Sequence, residues 1–281
     1  MLTVIEVIRK TSDFLGSKGV ESPRLNAELL VGHVLGLPRM RLYIEFERPV
    51  DGAELAAIRE LVRRRGRREP LQHIVGFTEF SGLRLKTDGR ALIPRPETEL
   101  LVETVVSRAE PPPGRILDLG TGGGAIALAL ASRFPLARVT GVDSSPQALS
   151  LAEENAALTG LKGRVSFAQS DWFAGIAPGE AFDLVVSNPP YLSPEETAAA
   201  APEVRVHEPS GALTSGDGGF ADIAAIAGVS AAFIAPGGML ALETGTGHHP
   251  RLAALLEKSG FARSESLPDL AGRSRFVLAW R

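Results

Sequence analysis

The sequence predicts an α/β protein, a doubly wound and mostly parallel sheet preceded by a small helical domain. Three observations predict it. From about residue 96, short strand-like apolar runs alternate with helical stretches to the end of the chain. A glycine-rich loop, Gly120-Thr121-Gly122-Gly123-Gly124, joins the first of those strands to its helix. Residues 1–75 carry helical periodicity alone. The expected domains are therefore a helical domain over 1–75, a β-hairpin linker over 76–95 and an α/β domain over 96–281.

In the first domain, Val4, Ile5, Val7, Ile8, Phe14 and Leu15 fall roughly on one helical face, and Leu25, Leu29, Leu30, Val34 and Leu35 on another. A third helix is expected over 53–65, with Gly36, Pro38, Pro49 and Gly52 as punctuation. In the linker, Phe77, Phe80, Leu83, Leu85 and Leu92 alternate with polar residues, and Gly76, Gly82 and Gly89 mark turns. Beyond it, strands are expected at 115–119, 138–142, 165–169, 182–187, 239–243 and 275–279. Helices are expected at 97–109, 125–133, 146–158, 221–234 and 250–258. Pro111-Pro112-Pro113-Gly114 is a rigid lead-in to the first strand.

Composition excludes several functions. The chain has 281 residues and no cysteine, so disulfides, thiol catalysis and thiolate zinc sites are out. None of the five histidines makes a helical zinc pattern. The formal charge of −3 argues against bulk nucleic-acid binding, although residues 1–90 are net positive and the remainder net negative. No apolar run approaches the ~18–20 residues of a membrane span. The first residues lack a signal peptide's basic start and cleavage site, so a cytoplasmic enzyme is expected.

The most telling residues are Asn188-Pro189-Pro190-Tyr191, directly after a strand-like run. An amide or ring-amine nitrogen has a delocalised lone pair and is a poor nucleophile. Oxygens that accept its two hydrogens orient it and favour charge build-up on nitrogen. The Asn188 side chain and the Pro189 carbonyl offer two such oxygens. The prolines stiffen the turn, and Tyr191 supplies a flat face. In the glycine loop, the order Asp118-x-Gly120-x-Gly122-x-Gly124 differs from the usual dinucleotide fingerprint. Asp143 closes the next strand, where a carboxylate can accept from ribose hydroxyls, or can merely cap the helix before Pro146. Asp171 can bond an adenine amino group and Trp172 can cover the ring; the plainer readings are a loop carboxylate and a core side chain.

These residues resemble class I methyltransferases acting on planar nitrogen. The loop from Asp118 to Gly124, Gly141-Val142-Asp143, Asp171-Trp172-Phe173 and Asn188-Pro189-Pro190-Tyr191 carry that likeness. Further stretches are similar to the HemK/PrmC family, the N5-glutamine methyltransferases of peptide chain release factors. They are Leu92-Ile93-Pro94-Arg95-Pro96-Glu97-Thr98-Glu99, Pro70-Leu71-Gln72-His73-Ile74-Val75-Gly76, Glu208-Pro209 with Ala212-Leu213, and Asp269-Leu270-Ala271-Gly272-Arg273 with Arg275. The resemblance implies a Rossmann-like, seven-stranded, class I S-adenosylmethionine (SAM)-dependent fold. It also implies a reaction: methyl transfer from SAM to the glutamine of the Gly-Gly-Gln motif in class I release factors, leaving S-adenosylhomocysteine. Asn188, Pro189, Pro190 and Tyr191 would then hold the glutamine. Gly120, Thr121, Gly122, Gly123, Gly124, Asp143, Asp171, Trp172 and Asn188 would hold the donor, with no metal. Two stretches depart from the family. The segment 213–218 lacks its aromatic-plus-double-glycine form, and His248-His249 stand near where a glutamine is usual.

Competing readings are N5-glutamine methylation of a ribosomal protein, a nucleic-acid adenine or guanine N-methyltransferase, and a SAM-binding module without catalysis. The second would want an aromatic clamp and a basic groove for a flipped base. Aromatics make up only 6% of the chain. The arginine run 63–68 reads either as a solvated helix end or as a docking surface for an acidic partner. Glu97 and Glu99 read either as helix-start acids or as active-site residues.

Overall fold

The computed structural model describes residues 1–281, which form two compact units: Met1–Gly76 with Ala201–His207, and Phe77–Ala200 with Glu208–Arg281. The segment Ala201–His207, placed by sequence inside the 96–281 domain, clusters with the first unit.

The first unit holds five helices of the N-terminal region: α1 (Val4–Ser17), α2 (Pro23–Leu35), α3 (Arg39–Ile44), α4 (Gly52–Gly66) and α5 (Leu71–Val75). Helices α1 and α4 begin at capping boxes. Thr3 and Glu6 exchange side-chain to backbone bonds, as do Asp51 and Glu54. Val4, Val7, Ile8, Ala27, Val31, Leu42, Val50 and Ile58 form the core between them. Glu28 is buried, and Arg24, Arg39 and the Tyr43 hydroxyl all bond its carboxylate.

Four of the five arginines in the run are paired within the first unit. Arg63 pairs with Glu60 and Arg64 with Glu69. Arg65 is buried; its Nε donates to Asn26 Oδ1 (2.8 Å) and an Nη to Glu203 Oε1 (2.8 Å). Arg68 forks onto both oxygens of Glu203, each at 2.7 Å. Glu203 belongs to the short helix Pro202–His207, so these two arginines tie that segment into the first unit.

The second unit opens with a hairpin, β1 (Phe77–Phe80) and β2 (Leu83–Lys86). Then come α6 (Pro96–Arg108), β3 (Arg115–Leu119), α7 (Ala125–Arg133), β4 (Arg138–Asp143), α8 (Pro146–Leu158), β5 (Val165–Gln169), β6 (Phe182–Ser187) and α9 (Pro194–Ala199). The chain passes through α10 (Pro202–His207, in the first unit) and returns as α11 (Gly216–Gly219), α12 (Ala221–Ser230), β7 (Ile234–Glu243), α13 (His249–Lys258), β8 (Arg263–Pro268) and β9 (Ser274–Trp280). The seven-stranded sheet has the order β5-β4-β3-β6-β7-β9-β8; β9 runs antiparallel to both β7 and β8, and the other pairs are parallel.

The central strands are apolar on both sides because helices cover both faces. Ile116, Leu184 and Val186 meet Leu101, Val105 and Leu128 on one face. Leu117, Val185 and Leu240 meet Ile223, Ile226 and Leu252 on the other. Three expected strands fall where expected, at β3, β5 and β6. Strand β7 starts earlier than expected, because 3-10 geometry over Ala231–Phe233 ends the helix after Ser230. Strand β8 was not expected from sequence. It lies at the sheet edge, mostly exposed, and Arg-Ser-Glu-Ser-Leu-Pro gives no apolar signal. No helix is long and apolar enough to cross a membrane.

Candidate active site and donor cavity

A cavity of about 290 Å³ opens outside the carboxyl ends of β3, β4, β5 and β6. Neighbouring connections diverge from β3 toward β4 on one side and β6 on the other, the switch point where such sheets take ligands. Of the residues singled out by sequence, Gly120, Gly122, Asp143, Asp171, Trp172, Asn188 and Pro190 line it. Thr121, Gly123, Gly124, Pro189 and Tyr191 do not; the first three build the loop, and the other two complete the turn at Asn188.

Gly120 and Gly122 have φ of 68° and 55°, a region that disfavours side chains. A Cβ on Gly120 would lie 3.2 Å from the Trp172 ring. Trp172 itself has φ of 46°, a strained conformation for a bulky residue, fixed as its carbonyl accepts from Ser170 Oγ (2.7 Å). Both oxygens of Asp143 are engaged from the backbone, by Gly122 N (2.8 Å) and Ser145 N (2.9 Å). The α8 cap is the Ser145 side chain, so Asp143 is not the helix cap that sequence left open.

Beneath the loop lies Asp118, fully buried. Its Oδ2 accepts from Thr121 Oγ1 (2.6 Å) and Ala127 N (3.1 Å), while Oδ1 has no partner. Burial pushes this carboxyl up to about 7, against those two hydrogen bonds and reinforced by the charge of Asp143. The folded state therefore binds a proton that the unfolded chain lacks between about 4 and 7. Stability falls as pH rises through that window. Asp118→Asn escapes the cost, so the melting temperature of ligand-free Asp118→Asn relative to wild type should climb from pH 5 to pH 8. An equal difference at both pH values would contradict the assignment.

The cavity lining fits an adenosyl ligand: a backbone-held carboxylate able to take a diol, and a second carboxylate and an indole able to take a purine. Trp172→Ala should weaken SAM binding by about 1–3 kcal/mol, the usual worth of base stacking, as read by calorimetry.

At the cavity's edge a polar chain runs through Asn188. Asn188 Nδ2 donates to Thr98 Oγ1 (3.0 Å), Thr98 Oγ1 to Glu243 Oε2 (2.8 Å), and the Tyr191 hydroxyl to Glu243 Oε1 (3.1 Å). Thr98 and Glu243 are buried. Burial pushes the Glu243 carboxyl up, opposed by the bonds from Thr98 and Tyr191 and by Arg275. Burial and Glu243 likewise push the Tyr191 phenol up, so it stays protonated. The Arg275 guanidinium lies 5.5 Å from the Tyr191 ring centre and bonds the Thr244 carbonyl.

Sequence reasoning weighed Glu97 and Glu99 and passed over Thr98 between them. Neither glutamate lines the cavity: Glu99 accepts from Ser81 N (2.7 Å) and Glu97 lies 3.7 Å from Arg273. It also missed Glu243, Arg90 and Asp222; the last two line the cavity. The unusual histidines turn out to brace the turn's surroundings. Buried His249 bridges Thr244 Oγ1 (2.9 Å) and Ser266 Oγ (2.7 Å), and His248 bonds the Gly218 carbonyl (3.2 Å). Gly219 follows at φ 89°, where a Cβ would fall 2.2 Å from the Tyr191 carbonyl oxygen.

Residues 6–76 match the PrmC N-terminal domain and residues 96–221 the methyltransferase small domain. A release factor glutamine methyltransferase from Deinococcus radiodurans is 43% identical over 279 residues, covering 98% of both chains. One from Geobacter sulfurreducens is 40% identical, covering 98% of this chain and 95% of its own. Among solved structures, a T. thermophilus 16S rRNA methyltransferase in complex with AdoMet and guanosine has a TM-score of 0.53 at 23% identity, over 73% of this chain and 49% of its own. A Pyrococcus furiosus methyltransferase also scores 0.53, at 18% identity, over 71% and 88%. The chain therefore belongs to the HemK/PrmC family of release factor glutamine methyltransferases and is a SAM-dependent enzyme with the class I fold.

Proposed function

We propose that this enzyme methylates the side-chain amide nitrogen of the glutamine in the Gly-Gly-Gln motif of class I release factors. The observation that carries the reading is the place of Asn188. It lines the donor cavity, opens the stiff Pro189-Pro190 turn, and has its Nδ2 spent on Thr98. Oδ1 is then the end of the side chain left for a donor N–H. The names and full-length similarity of the relatives support the release factor as acceptor.

In this reading Gly120, Gly122, Asp143, Asp171 and Trp172 hold SAM, which when bound supplies an electrophilic methyl on a sulfonium. Asn188 Oδ1 and the Pro189 carbonyl accept the two amide hydrogens. That fixes the nitrogen's orientation and favours positive charge on it as the N–C bond forms and the S–C bond breaks. The amide proton grows acidic as charge develops, so no strong base is needed beforehand; the phenol of Tyr191 stays protonated and serves as a packing face.

A direct test offers labelled SAM and equal amounts of release factor, ribosomal proteins and rRNA to the purified enzyme. Label is expected in the release factor. Label in ribosomal protein or RNA alone would contradict the proposed acceptor.

A further inference from the structure

Glu243, at the carboxyl end of β7, bonds the Tyr191 end of the Asn188–Tyr191 turn directly and the Asn188 end through Thr98, without lining the cavity itself. The count of hydrogens between these groups is informative. A threonine hydroxyl has one hydrogen and two lone pairs. Thr98 gives its hydrogen to Glu243 Oε2 at 2.8 Å. Its oxygen can then only accept, and the group it meets at 3.0 Å is Asn188 Nδ2. Turning the Asn188 amide over would set Oδ1 against Thr98 Oγ1, two acceptors with no hydrogen between them. In a pocket where Thr98 is 4% exposed and Glu243 1%, water does not relieve that clash. The polarity holds for the ionised carboxylate, whose two oxygens both accept, one from Thr98 and one from Tyr191.

An isolated asparagine has no such preference, because its two ends are nearly alike in shape. Its chemistry toward an amide N–H is opposite at the two ends: Oδ1 accepts the hydrogen, and Nδ2 repels it. Something must choose, and the residues able to choose here are Thr98 and the carboxyl behind it.

We propose that Thr98 and Glu243 are positioning residues for methyl transfer. They form a polarity relay that pins the Asn188 amide with Oδ1 toward the acceptor nitrogen, while the same carboxyl anchors the Tyr191 hydroxyl. The relay rests on the glutamine reading above. It also explains why a buried acid sits in this site without being a proton acceptor for the reaction. The residue acts through its neighbours, and α6 reaches the site through Thr98 rather than through the glutamates on either side.

Thr98→Val keeps shape and removes the hydroxyl; Thr98→Ser keeps the hydroxyl. For Thr98→Val, kcat on a release factor should fall on the order of 10²-fold, the scale of a misoriented catalytic contact. Its KM for the release factor and its SAM affinity by calorimetry should stay at wild-type values, while its melting temperature should fall, because Glu243 Oε2 and Asn188 Nδ2 lose a buried partner. Thr98→Ser should keep the wild-type kcat. Thr98→Ala, which fits any space threonine fills, should repeat the valine result and guards against misfolding by the branched side chain. A merely structural role for Thr98 would instead lower the melting temperature with kcat at its wild-type value, or would move SAM affinity and KM along with kcat, and either result would overturn the relay. So would wild-type kcat in Thr98→Val, or equal losses in the valine and serine variants. If wild type itself leaves the release factor unmethylated, the substrate reading fails. If wild type transfers and Thr98→Val matches it, the relay alone fails.

Discussion

Asn188→Ala is expected to bind SAM nearly as tightly as wild type and to transfer methyl about 10²–10³-fold more slowly, the usual cost of losing one preorganised contact to the reacting group. The side chain lines the cavity but is one of many residues there, and the glycine loop, Asp143 and Trp172 remain. Donor affinity therefore changes little. In the proposed reading, the acceptor nitrogen loses the oxygen that orients it and that favours positive charge on it during transfer. The turn itself should survive, because Pro189 and Pro190 hold its backbone and Ser187 Oγ ties the end of β6 to the Leu119 carbonyl at 2.7 Å. Calorimetry with SAM and single-turnover transfer to a release factor check both halves. A large loss of SAM affinity with an intact rate constant at saturation would assign Asn188 to the donor instead.

Glu203→Ala should be strongly destabilising, costing about 3–5 kcal/mol in urea denaturation of the intact protein. The carboxylate receives three hydrogen bonds, from Arg65 and both ends of the Arg68 fork. Its removal leaves the Arg65 guanidinium, with a side chain only 7% exposed, short of its counter-charge. Burial pushes the Glu203 carboxyl up, but the bond from Arg68, its own backbone and Arg65 outweigh it and hold it at about 2. Because the folded value lies below that of the unfolded chain, its contribution is full above about pH 4.5 and is lost as pH falls from there toward 2. A change within about 0.5 kcal/mol, the range of ordinary surface substitutions, would contradict the role given to this cluster.

The arginine run shows what sequence alone could not reveal about that cluster. Five arginines in six residues look like a solvated or docking surface, since their partners stand either nearby or, for Arg65 and Arg68, more than a hundred residues away at Glu203. Long-range ion pairs leave no local periodicity. The sheet was far more legible, because strands β3 and β6 are buried on both faces and so appear as apolar runs, while the polar edge strand β8 left no trace. In the candidate site, the motif-loop residues singled out from sequence come together: Gly120, Asp143, Trp172 and Asn188 all line one cavity. The residues behind them were not legible in sequence. Thr98 is an ordinary helix residue in sequence, and Glu243 an acid at a strand end. Only the fold brings them together, 145 positions apart. Asp118 was legible as part of a loop motif, but its full burial and raised pKa depend on α7 closing over it.

The account's central claim concerns one nitrogen on one side chain, and peptide-level mass spectrometry tests it most directly. A class I release factor and its Gly-Gly-Ala counterpart would each be incubated with SAM and this enzyme, then digested and fragmented. The account predicts one added methyl, on the side-chain nitrogen of the motif glutamine, and none on the Gly-Gly-Ala protein. A methyl of equal yield on both proteins, or one mapped to any other residue, would contradict it.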